Sequence, residues 1–188
     1  MPGSTHVLVV GNGMVGHCFV QEMLKREPDL LAAGLHITVL GEEPRPAYDR
    51  VHLSSFFSGT TADQLSLVEP GFYERPGLTL KLNARVAQID RRIHTVTLAD
   101  GSSLRYDKLV LATGSVPFVP AVPGREREAC FVYRTIEDLE AMQAAGRHAQ
   151  SGVVVGGGLL GLECAKALRD MGLETHVVEF APRLMAVQ

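Results

Sequence analysis

The pattern Gly-x-Gly-x-x-Gly occurs twice in this chain of 188 residues, as Val9-Val-Gly-Asn-Gly-Met-Val-Gly16 and Val154-Val-Gly-Gly-Gly-Leu-Leu-Gly161. Each copy follows an apolar run and opens a helix-like stretch, an order that few folds accommodate. An apolar run with no polar alternation reads as a strand buried on both faces, which is the habit of parallel sheets. The first glycine of each copy (Gly11, Gly156) permits a tight turn, and the second (Gly13, Gly158) lets another molecule approach the backbone. The third (Gly16, Gly161) lets helix and strand pack closely. The helix start then offers free N–H groups and partial positive charge to a phosphate.

A carboxylate at the end of the next strand completes the signature, because it accepts hydrogen bonds from a ribose diol. Glu42 and Glu43 follow the run Leu35–Leu40, and Glu179 lies 18 residues beyond Gly161. The two copies therefore point to two dinucleotides on one chain. A carboxylate at 179 repels a 2′-phosphate, which favours NADH over NADPH, although Arg183 lies nearby. A packing turn in another α/β fold is the alternative for the first copy, and a plain surface acid is the alternative for Glu179.

Around these loops the sequence predicts a strand over His6–Val10 and a helix over Met14–Lys25, with Val15, Phe19, Val20, Met23 and Leu24 at helical spacing. Gly41–Gly59 is a polar, proline-bearing excursion, with a short helix expected over Ala62–Leu67. Leu78–Leu82, Ala84–Asp90, Thr95–Leu98 and Leu104–Tyr106 read as an antiparallel meander before a last parallel strand, Lys108–Ala112. Thr113-Gly114-Ser115 is a tight turn, and Pro117, Pro120 and Pro123 suit a stiff linker. A helix over Thr135–Ala145 carries the capping pair Thr135 and Asp138. The second unit is expected as a strand Val153–Val155, a helix Leu159–Met171 and a strand Thr175–Glu179.

The fold class is thus α/β, with Rossmann-like nucleotide-binding units: a parallel sheet with helices, plus an antiparallel meander. Residues 1–120 form the first nucleotide-binding domain, 121–150 a linker and helix, and 151–188 the start of a second domain. The second domain has too few strands for a dinucleotide fold, so the chain reads as the N-terminal part of a longer protein.

Composition excludes several classes. Net charge is −3, with 46% hydrophobic and 21% charged residues and scattered basic side chains, which argues against nucleic acid as a partner. No apolar run reaches membrane-spanning length, and the N-terminus lacks a basic region before its short apolar run. Cys18, Cys130 and Cys164 are far apart and odd in number, with no Cys-x-x-Cys, so no metal site is expected and a reducing, cytoplasmic setting fits. Cys18 and Cys164 read as packed helix residues, and His17 and His52 as loop or surface residues. Glu163 is expected in the first turn of the second helix. There it is a candidate catalytic residue facing a nicotinamide, or simply an acid favoured by the helix dipole.

Several of these stretches together resemble the flavin-dependent pyridine nucleotide oxidoreductases: the first glycine loop, Ala112-Thr113-Gly114, and Gly156-Gly-Gly-Leu-Leu-Gly-Leu-Glu163. Glu42-Glu-Pro-Arg-Pro-Ala-Tyr-Asp-Arg-Val-His-Leu-Ser-Ser55, Phe131-Val-Tyr-Arg-Thr-Ile-Glu-Asp-Leu139 and Glu174-Thr-His-Val-Val-Glu-Phe-Ala-Pro182 are similar to large subunits of NADH-dependent, assimilatory-type nitrite reductases. Ferredoxin- and rubredoxin-reductase members carry prolines where Val51 and His52 stand. The resemblance implies that Gly11, Gly13, Gly16 and Glu42, with Glu43 beside it, hold FAD, with Arg50 near the flavin. It implies that Val86 offers backbone to the adenine and that Thr113 and Gly114 pass close to FAD, while Gly156, Gly158, Gly161 and Glu179 hold NADH.

It further implies hydride transfer from NADH to FAD, in a homo-oligomer that can include a small subunit and serves nitrate assimilation. Iron–sulfur and siroheme centres that reduce nitrite would lie outside these residues. The stretch 48–56 carries no cysteine, which argues against thiol chemistry beside the flavin. A stand-alone NADH–ferredoxin or –rubredoxin reductase is the alternative function. A non-catalytic dinucleotide-binding or redox-sensing module is a third.

Overall fold

The computed structural model describes residues 4–186, which form two compact units. Residues 1–49 and 66–115 make the first, and 50–65 and 116–188 the second. Compact units grouped by packing differ in kind from nucleotide domains drawn along the chain, because the segment 50–65 groups with the C-terminal residues.

In the first unit, β1 (Thr5–Val10), α1 (Met14–Arg26) and β2 (Leu35–Leu40) form the expected β-α-β. β3 (Leu78–Lys81), the meander β4 (Val86–Asp90), β5 (Thr95–Leu98) and β6 (Ser103–Arg105), and β7 (Lys108–Leu111) follow. The main sheet is fully parallel, in the order β3-β2-β1-β7, with Thr5 opposite Leu35 and Val10 opposite both Leu40 and Leu111. β1 is apolar from Val7 to Val10 because each face is covered there. Val7 and Val9 pack with Val20, Leu24, Ile37, Val39 and Phe72 on the α1 side. Leu8 and Val10 pack with Leu40, Val96, Leu98 and Tyr106 on the meander side. Each fully buried aliphatic side chain of this kind contributes about 2 kcal/mol.

The structure departs from the sequence expectation in three places. Leu78–Lys81 leaves the meander and joins the main sheet, where Ile37 pairs with Leu78 in parallel. On α1 only part of the helical stripe is covered: Val20 and Leu24 are buried, whereas Val15 is 71% exposed and Phe19 is also exposed. Residues 62–67 form turns and a lone bridge, Tyr48 to Ser66, instead of a helix.

In the second unit, a short 3-10 helix (Leu53–Ser58) and α2 (Ile136–Gly146) precede β8 (Ser151–Val155), α3 (Leu159–Asp170) and β9 (Glu174–Val178). β8 and β9 pair in parallel, Ser151 opposite Glu174. Cys164, Ala165, Ala167 and Leu168 form the buried stripe of α3. Val153, Val155 and Val178 remain exposed. α2 starts with the expected capping box: Asp138 N donates to Thr135 Oγ1 (3.1 Å), and Thr135 N donates to Asp138 Oδ2 (2.8 Å).

Candidate functional site

The first glycine loop is built by its own packing. Gly11 N donates to Leu40 O at 2.9 Å, which ties the loop to the end of β2. Gly11 has φ +112°, and a Cβ there would lie 2.1 Å from Ala112 O, so only glycine fits. A Cβ on Gly16 would lie 1.9 Å from Gly11 O. Gly13 differs, because a Cβ there would meet no protein atom within 4 Å. The protein's own packing does not require Gly13 to be bare, and the open space beside it leaves room for another molecule to approach the backbone. α1 starts at this point with Gly13 as its N-cap, no side-chain cap and no acid in its first turn. Its first amides are therefore free for an anion.

The acids after β2 have unlike surroundings. Glu43 accepts a hydrogen bond from the buried Tyr48 hydroxyl at 2.7 Å, while Glu42 is 69% exposed and lies 3.5 Å from Arg85 Nε. Asn12 Nδ2 donates to Arg45 O (3.3 Å), and Asn12 Oδ1 is buried without a hydrogen-bond partner. Thr113 N lies 3.0 Å from the Cβ position of Gly11, so the Thr113-Gly114 turn lies against the loop. Val86 opens β4 opposite Leu98 and packs on the meander-side core. Within the first unit the structure thus brings Gly11, Gly13, Gly16, Thr113 and Gly114 to one end of the parallel sheet.

The second loop repeats this backbone. Gly156 N donates to Val178 O at 2.9 Å, and a Cβ on Gly161 would lie 2.0 Å from Gly156 O. Gly158 meets nothing within 4 Å and is the N-cap of α3, again with neither a side-chain cap nor an acid in the first turn. Glu179 follows β9 and folds back on the loop: Oε2 accepts from Gly157 N (2.6 Å) and Oε1 from Ala181 N (2.8 Å). The amides of Ala181 and Gly157 hold its carboxyl below the ordinary carboxylate range. Glu163 is the fifth residue of α3, so it lies beyond the first turn where it was expected, and it is half-buried. Burial, then the nearby Cys164 and Glu163, push the Tyr133 phenol up. Tyr133 stacks on Phe57 with centroids 6.3 Å apart. Arg50, in the same unit, donates to Arg134 O at 3.1 Å.

Two side chains differ from the sequence expectation. Cys18 is exposed instead of packed, whereas Cys164 is buried as expected and its thiol is pushed up by burial. His17 is buried, with Nε2 facing Leu67 O and Nδ1 facing the Tyr73 hydroxyl, each at 3.1 Å. A nitrogen facing a carbonyl must carry the proton, so Tyr73 donates to Nδ1. Burial lowers the His17 pKa and raises that of Tyr73 to about 12. The three cysteines are free, and among the described residues no cluster suits a metal and no helix is long and apolar enough to cross a membrane.

Parallel β-α-β units with bare glycine loops at uncapped helix starts define an α/β protein of the Rossmann-like nucleotide-binding class. A model of the pyridine nucleotide-disulphide oxidoreductase family matches residues 5–188, and the chain belongs to that family. It is 52% identical over 180 residues to the nitrite reductase (NADH) large subunit of Escherichia coli (strain K12), covering 96% of this chain and 21% of that protein. It is 54% identical over 182 residues to the nitrite reductase [NAD(P)H] large subunit of Klebsiella oxytoca, covering 97% and 19%. The chain therefore spans about a fifth of the length of these relatives. The crystal structure of the ferredoxin reductase for the CYP199A2 system from Rhodopseudomonas palustris is also similar, with TM-score 0.85 and 30% identity over 96% of this chain and 44% of that one.

Proposed function

We propose that this chain is the electron-entry part of an NADH-dependent nitrite reductase, taking hydride from NADH onto FAD. The observation that carries the reading is the pair of loops, each leaving its second glycine open and its helix start uncapped, in a chain more than half identical to two such large subunits. Residues 1–120 serve FAD, 121–150 connect, and 151–188 begin the NADH part. The first site fits FAD by chemistry: free amides at Gly13–Gly16 suit its pyrophosphate, and the exposed Glu42 suits its ribose hydroxyls. Glu43, Arg50, Val86, Thr113 and Gly114 are assigned to the same cofactor.

Gly156, Gly158 and Gly161 receive the NADH pyrophosphate, and Glu179, already ionised and aimed along the loop, accepts its ribose hydroxyls. Glu163 is assigned to orient the nicotinamide. Bound FAD supplies a hydride acceptor that releases electrons singly to further centres. Iron–sulfur and siroheme centres do not fit these residues, because three scattered cysteines cannot supply four thiolates. Nitrite, those centres, a small subunit and homo-oligomeric assembly thus belong to the complete protein. A cytoplasmic setting agrees with the unpaired cysteines.

Purified full-length protein is expected to be yellow-brown and to bleach when NADH is added anaerobically; preparations devoid of flavin would sink the reading. A stand-alone ferredoxin or rubredoxin reductase is the second reading, favoured by the Rhodopseudomonas similarity. Nitrite-dependent NADH oxidation separates the two.

A further inference from the structure

The two loops share a backbone frame, which fixes the correspondence between them. Gly11 N bonds Leu40 O as Gly156 N bonds Val178 O, each at 2.9 Å. The residue after Leu40 is Gly41, and the residue after Val178 is Glu179. In this frame Glu179 corresponds to Gly41, and Glu42 is one residue further along. The second loop residue corresponds as Asn12 and Gly157.

The two pairs divide one small volume in opposite ways. In the first, the side chain is on the loop: Asn12 Cβ would lie 2.9 Å from a Cβ on Gly41. In the second, the side chain comes from the strand end: a Cβ on Gly157 would lie 3.0 Å from Glu179 Oε2, 3.2 Å from Glu179 Cβ and 2.6 Å from Leu184 Cδ2. Gly157 also fixes the segment beyond Glu179, since Met185 N donates to Gly157 O at 2.9 Å. Gly157 does not adopt a positive φ, so its backbone accepts any residue and the need for glycine is purely spatial.

We propose that Gly157 is a positioning residue for nucleotide selection. Its missing side chain lets the Glu179 carboxylate dock on its amide, and that docking sets the carboxylate to accept the two ribose hydroxyls and reject a 2′-phosphate. The proposal rests on the NADH reading of the second loop. A carboxylate on a flexible stem samples many positions, and two amide bonds confine it to one. A methyl group at 157 competes for the space of Oε2 and frees the carboxylate.

The test uses the flavin-loaded full-length protein and the oxidised nucleotides NAD+ and NADP+, so that no turnover occurs. Gly157→Ala is expected to weaken NAD+ binding about tenfold, the effect of losing one hydrogen bond to a charged group, with NADP+ binding nearly unchanged. Glu179→Gln should weaken NAD+ similarly, and the double variant should bind no worse than Glu179→Gln alone. Equal weakening of both nucleotides, or additive effects in the double variant, would overturn the proposal. Carboxyl NMR gives a ligand-free readout, in which Gly157→Ala should return the Glu179 pKa toward the ordinary range. Because the Ala181 amide still holds the carboxyl, the return is partial, and a Glu179 pKa unchanged from wild type overturns the docking argument. If Leu184 crowding impairs folding, Gly157→Ala with Leu184→Ala leaves only the conflict with Glu179 and is judged by the same outcomes. Wild-type preference for NADP+ would sink the NADH reading itself, while the carboxyl titration still decides the docking.

Discussion

The two glycine loops have nearly the same backbone and different neighbours. In the first unit β7 lies beside β1 and carries Ala112 onto Gly11, so that glycine is hemmed in by protein. In the second, β8 pairs with β9, and a Cβ on Gly156 would meet no atom within 4 Å. The positive φ is a property of the turn and recurs in both loops, +112° and +118°. The crowding comes from the neighbouring strand, and among the described residues no such strand lies beside β8. One motif thus carries three separable demands: backbone conformation, packing against a neighbouring strand, and access for a ligand.

The largest expected effect separates the first two demands. Gly11→Ala carries left-handed strain of about 1–3 kcal/mol and overpacking of about 1–3 kcal/mol against Ala112 O. Within the described residues Gly156→Ala carries only the strain, so the comparison is made on residues 1–188 alone. At about 2–4 °C per kcal/mol for a chain of this size, Gly11→Ala should lower Tm well beyond Gly156→Ala in calorimetry. Equal shifts would break the comparison.

The third demand is isolated at the open glycines. Gly13→Ala and Gly158→Ala have room for their methyl groups and should melt within about 2 °C of wild type, since surface changes of this kind stay within ~0.5 kcal/mol. Binding should suffer instead. Loss of close backbone approach to a phosphate corresponds to a factor of about ten to a hundred in affinity. Gly13→Ala should reduce flavin retention and leave NAD+ binding to be read separately, and Gly158→Ala should do the reverse. A Gly13→Ala protein that keeps its flavin through dialysis would remove Gly13 from the FAD site.

A smaller effect tests the shared frame. Gly41→Ala should cost about 1–2 kcal/mol through its 2.9 Å conflict with Asn12 Cβ, and Asn12→Gly should recover most of it. Urea titration of the two single variants and the double variant measures this coupling. Independent effects would mean that Asn12 and Gly41 do not share a volume as Gly157 and Glu179 do.

What sequence revealed follows from the range of the forces involved. β1, α1, β2, both loops and the Thr135–Asp138 capping box depend on residues within a few positions of one another, and all were legible. The placement of β3 depends on pairing with Ile37, some 40 residues away, and a short apolar run beside turn signals reads equally well as part of a meander. Val15 and Phe19 fit the helical period but fall outside what the sheet covers. His17 has no local sign of its role, because its partners Leu67 and Tyr73 lie at least 50 residues on. Glu163 lies one position past the first turn although the helix starts at Leu159 as expected, because the fifth helical residue no longer faces the free amides.

The smallest expected effect is acid sensitivity, and it too distinguishes the units. His17 follows Gly16, whereas Leu162 holds the matching place after Gly161. Desolvation sets the folded pKa of His17 below its ordinary 6.5. Below pH 6.5 the unfolded chain therefore binds a proton that the folded chain refuses, and stability falls with pH until the folded value is passed. Glu179 acts lower: its folded pKa lies under the ordinary 4.5, so its contribution is complete above 4.5 and is lost as pH falls through the folded value. Hydrogen exchange of β1 and β2 amides should thus speed up as pH falls below 6.5, after correction for intrinsic rates, while that of β8 and β9 amides should hold until below pH 4.5. His17→Gln should flatten the first response and leave the second intact. If both sheets loosen together in the variant as in the wild type, the buried imidazole is not what makes the first unit acid-sensitive.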